Sequence, residues 1–185
     1  NPEDIDLIIV ATSSPDDLFG SACLLQSAIG AKGALAYDLT AACSGFVGGL
    51  VNGMHFIRGG GYKNVLVVGA DVLSRYVDWR DRGTCILFGD GCGAVVLTAT
   101  EEVSECSLLG FDMHSDGSQN HHLTAKVCGA KVGKVWESDS EAGERTAYEN
   151  IGMNGQDVFK FAVRAVPMTI KESLKNANMQ PEEID

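Results

Sequence analysis

The sequence predicts an α/β fold built on a largely parallel sheet, and three observations predict it. Apolar runs of strand length stand at 6–12 (DLIIVAT), 34–39 (ALAYDL) and 64–71 (NVLVVGAD), of the kind buried on both faces of a sheet. Helical segments separate them, as βαβ crossovers require. The opening NPEDID also returns as QPEEID at 180–185, an offset of 179 residues. Chance is one explanation of so short a match. The other is a duplicated fold, of which this chain holds mostly the first half.

Each element follows from local signals. The run at 6–12 is the first strand. After a turn-rich SSPDD, LFGSACLLQSAIG at 18–30 reads as a helix stopped by Gly30. ALAYDL is the second strand, and SGFVGGLVNGMHFIRGGG at 44–61 is a helix closed by three glycines. NVLVVGAD is the third strand. GCGAVVLTAT at 91–100 and ECSLLGFDMHS at 105–115 are expected as an antiparallel pair at a sheet edge. Residues 115–150, rich in Gly, Ser, Asn, Glu and Lys, read as a long surface excursion with room for a short hairpin. From 154 to about 177 the period is helical, with a bend expected at Pro167. The expected organisation is 1–112 as most of the first half, 113–153 as the excursion and pocket region, and 154–185 as the first helix of a second half.

The 185 residues are 45% hydrophobic and 21% charged, an ordinary globular balance. No apolar run reaches the roughly 18–20 residues of a membrane-spanning helix, and NPEDID is not a secretory signal. The chain does not begin with Met, so the natural start is expected upstream. A net charge of −11 argues against nucleic acid as a general partner. The six cysteines, at 23, 43, 85, 92, 106 and 128, form no CxxC pair. Free thiols in a reducing compartment fit them better than disulfides or a zinc site.

Cys43 follows a strand after a very short turn and opens a helix. Unpaired N–H groups and partial positive charge at a helix start favour a thiolate over a thiol. The same N–H groups suit an oxyanion on a bound carbonyl. Ala41, Ala42, Ser44 and Gly45 leave room for an acyl group. Gly45, Gly48, Gly49 and Gly53 each cost the helix about 1 kcal/mol relative to Ala, which points to a buried helix packed closely on other backbone. Burial would also keep water from a reactive thiol. An inert core thiol is the competing reading, and these residues alone leave both open.

DLTAACSGF, NVLVVGADVLSRYVDWRDRGTCILFGDGCGAVVL and MNGQDVFKFAV together resemble the β-ketoacyl-acyl carrier protein synthase III family of the thiolase superfamily. The resemblance covers nearly all of the chain, loosening between about 115 and 150. LSRYVDWRDRGTCILFGD and GFDMHSDG are most similar to the plant, algal and cyanobacterial branch. It implies a thiolase-like fold with α-β-α-β-α layers in two duplicated halves, and a homodimer. It implies an acyltransferase in which Cys43 is acetylated by acetyl-CoA. Malonyl-acyl carrier protein then loses CO2 and condenses to acetoacetyl-acyl carrier protein, the first step of type II fatty acid synthesis. No cofactor or metal is implied.

The family's catalytic His, in an HQAN motif, and its Asn, in a GNTSAAS-like motif, belong to its second half. His55, His114, His121 and His122 stand in neither context. The chain alone is therefore expected not to complete the decarboxylative step, with slow acylation left open. Arg82 matches the residue packing on the adenine of CoA, and Gly83 lets backbone approach the ligand. A salt bridge of Arg82 with Asp81 or Asp78 is the alternative. Leu73 and Phe88 match acyl-pocket residues, with core packing as the alternative. Phe19 matches a residue that reaches the dimer partner's pocket. Asp90 reads as a turn residue. Lys160, Arg164, Lys171 and Lys175 fall within roughly 60° of helical arc. Only Lys160 is assigned to carrier-protein docking, the others reading as a solvated face. The competing functions are a polyketide starter synthase with another acyl-CoA, and a non-catalytic CoA- or carrier-binding module. The implied compartment is the plastid stroma, or the cytoplasm of a bacterium.

Overall fold

A computed structural model describes residues 1–101, 107–128 and 148–184. They fall into two compact units, Asn1–Val72 with Asp90–Leu109, and Leu73–Gly89 with Gly110–Asp185.

The first unit is a mixed sheet between two helices. Its elements are β1 (Leu7–Ala11), α1 (Ala22–Ile29), β2 (Leu35–Leu39), α2 (Gly45–Arg58), β3 (Asn64–Val72) and β4 (Asp90–Thr98). The strand order is β2-β1-β3-β4. β1 pairs in parallel with β2 and β3, with Ile9 opposite Tyr37 on one side and Val67 on the other. β4 runs antiparallel to β3.

Period-2 alternation sends successive β1 residues to opposite faces. Ile8 and Val10 join Ala22, Ala31 and Val68 in a core that Leu25 and Ile29 of α1 complete. Leu7 and Ile9 join Val65 and Val67 beneath Phe46, Leu50, Phe56 and Ile57 of α2. Both faces are therefore covered, which is why β1 is apolar at every position and buried throughout.

Glycines decide how closely α2 sits. A methyl added at Gly49 would lie 2.8 Å from Val67 Cγ1, and one at Gly53 would lie 2.8 Å from Leu97 Cδ1 and 3.1 Å from Val65 Cγ1. At Gly45 it would lie 3.2 Å from Ala11 Cβ. Gly45, Gly49 and Gly53 recur every four residues, so they form one stripe against the sheet. The expectation of a glycine-packed helix is met on this face.

Three expectations are corrected in this unit. The first helix starts at Ala22, not Leu18. Asp17 Oδ1 accepts from the Phe19 N–H at 2.8 Å, and Gly20 turns the chain with φ +107°, so residues 17–20 are committed to a turn. Gly30 ends the helix as expected, in the left-handed region with φ 79°. Asp90 is the first residue of β4, opposite Val72, not a turn residue. β4 takes β3 as its antiparallel partner, where residues 105–115 were expected. Residues 105 and 106 lie outside the described residues, and 107–115 form no strand. Their backbone has other partners: Arg58 Nη2 donates to Leu108 O at 2.8 Å within the first unit. In the second, Asn176 Nδ2 donates to Phe111 O at 3.0 Å, and Gly110 lies against the backbone of Ser173 and Ala177.

The second unit contains a short ladder of β5 (Leu123–Thr124) and β6 (Gly152–Met153), antiparallel, with a Val127–Tyr148 bridge beyond it. This ladder reaches beyond the 115–150 segment in which a short hairpin was expected, and residues 129–147 of that segment lie outside the described residues. The Tyr76 and Tyr148 rings meet edge to face at 5.6 Å, and the Ile151 N–H donates to Tyr76 O at 2.8 Å. α3 (Gly155–Ala177) follows and continues through Pro167. The proline has no N–H to donate to the preceding turn, yet the helix runs on for ten residues to a left-handed Asn178.

The repeated hexapeptides fold alike. Pro2–Asp4 and Pro181–Glu183 are each a single 3-10 turn followed by an extended isoleucine, Ile5 or Ile184. In each, the acid three residues on accepts from the first residue's backbone nitrogen: Asn1 to Asp4 at 3.1 Å, and Gln180 to Glu183 at 2.6 Å. The echo is one of structure as well as of letters.

Candidate active site

Cys43 sits at the elbow between β2 and α2. It is the middle residue of a 3-10 turn, Ala42–Ser44, that leads into α2 at Gly45. The Ser44 N–H donates to Ala41 O at 3.1 Å, and the Gly45 N–H to Ala42 O. Ala42 has φ +45°, a conformation that costs an L residue with a Cβ roughly 1–2 kcal/mol. The strained residue immediately precedes the candidate nucleophile, and such strain persists only where its surroundings impose it. The thiol itself is exposed. The expectation that burial shields it is corrected: α2 buries its glycine stripe on the sheet from Gly45 onward, while Ala41–Ser44, the residues just before it, are exposed.

A polar cluster borders this elbow. Asp71 Oδ1, near the end of β3, accepts from Ser13 N at 2.7 Å, Ser14 Oγ at 2.9 Å and Thr12 Oγ1 at 3.3 Å. Ser14 Oγ in turn accepts from Val72 N at 2.7 Å. Thr40 Oγ1 donates to Thr12 O at 2.8 Å. Asp38, within β2, accepts from Ser21 N and Ala22 N at 2.8 and 2.7 Å and so caps α1. None of these roles was read from the sequence. The available signal was a lone carboxylate within or ending an apolar strand, since a charge there needs a partner. Phe19 is 94% exposed, held outward by the Asp17 turn.

The remaining candidates belong to the second unit. Leu73 opens the 3-10 turn Leu73–Tyr76 and is half-buried, as is Phe88. Asp81 organises the loop carrying Arg82 and Gly83. It accepts from Gly83 N at 2.9 Å and from Thr84 Oγ1 at 2.8 Å, and Thr84 is buried. Asp78 pairs with Arg80, whose Nε and Nη2 donate at 3.1 and 3.2 Å. These hydrogen bonds hold the Asp78 carboxyl below the usual carboxylate range. Asp78 and Asp81 therefore have other partners, and among the described residues Arg82 makes no ion pair. Its salt-bridge alternative is not realised.

Lys160 Nζ donates to Asp157 Oδ1 at 3.0 Å within the first turns of α3. That contact is the main cause of the lowered Asp157 pKa. Lys175 pairs in the same way with Glu172. The His121 and His122 rings lie 4.0 Å apart, and His122 Nδ1 is 3.8 Å from Asp157 Oδ2. Among the described residues, no group of three or more His, Cys, Asp or Glu is placed to hold a metal. No helix among them is long and apolar enough to cross a membrane.

Comparison with known proteins bears on these candidates. The family described as 3-oxoacyl-[acyl-carrier-protein (ACP)] synthase III matches residues 37–117, a span that includes Cys43, Leu73, Arg82, Gly83 and Phe88. The β-ketoacyl-[acyl-carrier-protein] synthase III of Microcystis aeruginosa is 53% identical over 185 residues, covering all of this chain and 54% of that protein. The chloroplastic enzyme of the same name from Arabidopsis thaliana is 52% identical over 196 residues, covering all of this chain and 47% of that protein. The crystal structure of 3-oxoacyl-[acyl-carrier-protein] synthase III from Aquifex aeolicus superposes with a TM-score of 0.84 at 43% identity, over 99% of this chain and 53% of that one. The chain thus spans about half the length of the curated relatives it matches. With a thiolase-like α/β fold and this identity along its whole length, the chain belongs to the β-ketoacyl-[acyl-carrier-protein] synthase III family.

Proposed function

We propose that the full-length protein carrying this chain is the condensing enzyme that starts type II fatty acid synthesis. The observation that carries this reading is the strained Ala42–Cys43 elbow at the head of α2, within the span that matches the family. The Cys43 thiolate attacks the carbonyl of acetyl-CoA. The bond from that carbonyl to the CoA sulfur breaks, CoA leaves, and the acetyl group stays on Sγ. Malonyl-acyl carrier protein then loses CO2. The electron pair released forms the new carbon–carbon bond to the acetyl carbonyl. Cys43 is returned as thiolate, and acetoacetyl-acyl carrier protein leaves. The N–H groups at the start of α2 stabilise the negative charge that develops on the attacked oxygen.

In this reading Arg82 stacks on the adenine of CoA, and Gly83 lets the loop approach it. Leu73 and Phe88 line the acyl pocket, and Phe19 reaches the pocket of a homodimer partner. Lys160 meets the carrier protein. Residues 1–112 supply most of the first half, 113–153 the excursion, and 154–185 the opening of the second half. The reaction uses no cofactor. The compartment proposed is the plastid stroma, with a bacterial cytoplasm as the alternative. The chloroplastic and cyanobacterial relatives support both.

The test is single-turnover transfer of labelled acetyl from acetyl-CoA to purified full-length protein, followed by condensation with malonyl-acyl carrier protein. Cys43→Ala should abolish both. Condensation at the normal rate in that variant would overturn the assignment and favour a CoA- or carrier-binding module. A preference for longer or branched acyl-CoAs would favour the polyketide starter reading.

A further inference from the structure

We infer that Thr40 is a positioning residue for Cys43, acting through the end of β1. This rests on the proposed role of Cys43 as nucleophile. The elbow that carries Cys43 is strained: Ala41 has φ −152° and ψ 33°, outside the regular regions, and Ala42 has φ +45°. A strained backbone relaxes unless its ends are fixed. On the far side the fixing is α2, whose glycine stripe is seated on β1 and β3.

On the near side the chain leaves β2 at Leu39, whose carbonyl accepts from Thr12 N at 3.0 Å. One residue later Thr40 Oγ1 donates to Thr12 O at 2.8 Å. Thr12 is thus gripped through both its backbone groups by consecutive residues of the strand that runs into the elbow.

Thr12 is itself a fixed point. It is 8% exposed, and its side-chain oxygen accepts from Ser14 N at 3.1 Å while its hydroxyl meets Asp71 Oδ1. Asp71 further gathers Ser13 and Ser14, and Ser14 reaches Val72 of β3. The ends of all three parallel strands are tied into one rim. The Thr40 hydroxyl is the link from that rim to the elbow: between Thr40 and the Ala42–Ser44 turn lies only Ala41. Removing this hydroxyl frees the strained pair to rotate toward an ordinary conformation, which moves Sγ relative to the first turn of α2.

The experiment uses the full-length protein and three variants. Thr40→Val keeps the volume and removes the hydroxyl, Thr40→Ala relieves any crowding, and Thr40→Ser keeps the donor. Cys43→Ala is the control, and near-UV circular dichroism normalises rates to folded protein. Single-turnover acetylation is measured against acetyl-CoA concentration.

Thr40→Val and Thr40→Ala should slow acetylation at saturation by about tenfold or more, the scale of a small misplacement of a reacting group. The concentration for half-maximal rate should stay unchanged, and Thr40→Ser should restore the rate. Wild-type rates in the two hydroxyl-free variants, or equal slowing in all three, would overturn the inference while leaving Cys43 as nucleophile. Acetylation persisting in Cys43→Ala would instead remove the reading on which it rests.

Discussion

Replacing Gly49 by alanine tests how closely α2 is seated on the sheet. On an exposed helix this change would stabilise by about 1 kcal/mol, because Ala is the better helix former. Here the new methyl would lie 2.8 Å from Val67 Cγ1, where two carbon atoms prefer roughly 3.5–4.0 Å. About 0.7–1.2 Å must therefore be found, by the same comparison. Val67 is fully buried and β-branched, so its χ1 is stiff. Lifting α2 would also loosen the contacts at Gly45 and Gly53. Overpacking of this kind costs about 1–3 kcal/mol. After the propensity gain, a net loss of about 0–2 kcal/mol remains.

The assay is equilibrium denaturation of Gly49→Ala, Val67→Ala and the double variant. Removing the Val67 branches should make Gly49→Ala neutral or stabilising, with a coupling of about 1–2 kcal/mol between the sites. A gain of about 1 kcal/mol in both backgrounds would match propensity alone and refute the close seating.

Further expectations concern other parts of the molecule. Ala42→Gly should relieve the strain of φ +45° and leave stability unchanged or raised by about 1 kcal/mol, the gain offset by a freer unfolded chain. Single-turnover acetylation should slow in that variant. Asp38→Ala leaves the Ser21 and Ala22 N–H groups without their acceptor and should cost about 1–3 kcal/mol in denaturation, with Asp38→Asn recovering part. In the full-length protein, the proposed stacking of Arg82 on CoA predicts that Arg82→Ala raises the KM for acetyl-CoA about tenfold, equivalent to 1.4 kcal/mol, while kcat changes less. The backbone N–H groups of Asn64 and Lys63 hold Asp6 below the usual carboxylate range. Its stabilisation is then fully present above the unfolded value near 3.9 and is lost as pH falls through the lower folded value. An acid titration followed by circular dichroism should show a shallower acid limb in Asp6→Asn.

The three parallel strands and the helices between them were legible because burial on both faces leaves a strand such as LIIVA with no polar position. The glycine stripe was legible as a cost that only close packing repays. The start of α1 was not. LFGS looks helical by composition, but the Asp17 turn and the distant Asp38 cap decide it, and pairing across 16 or 17 residues leaves no local trace. The partner of β4 was missed for a similar reason. Two apolar runs adjacent in sequence suggest a hairpin, while the actual partner, β3, lies before a turn-rich insertion. At the candidate site, the position of Cys43 was readable from its strand and helix. Its exposure and the strain at Ala42 were not, because neither φ nor accessibility follows from residue type. The hydroxyls of Thr12, Ser14 and Thr40 are common loop residues until coordinates show them converging.

Because β1, β2 and β3 run the same way, the first unit has two unlike ends. One collects Thr12, Thr40, Cys43 and Asp71. At the other, Asp6 holds Lys63 and Asn64, and Ala99 N donates to Lys63 O. A fluorophore or surface tether introduced at Lys63 would thus report on the molecule from the end of the sheet away from the elbow, without touching the thiol.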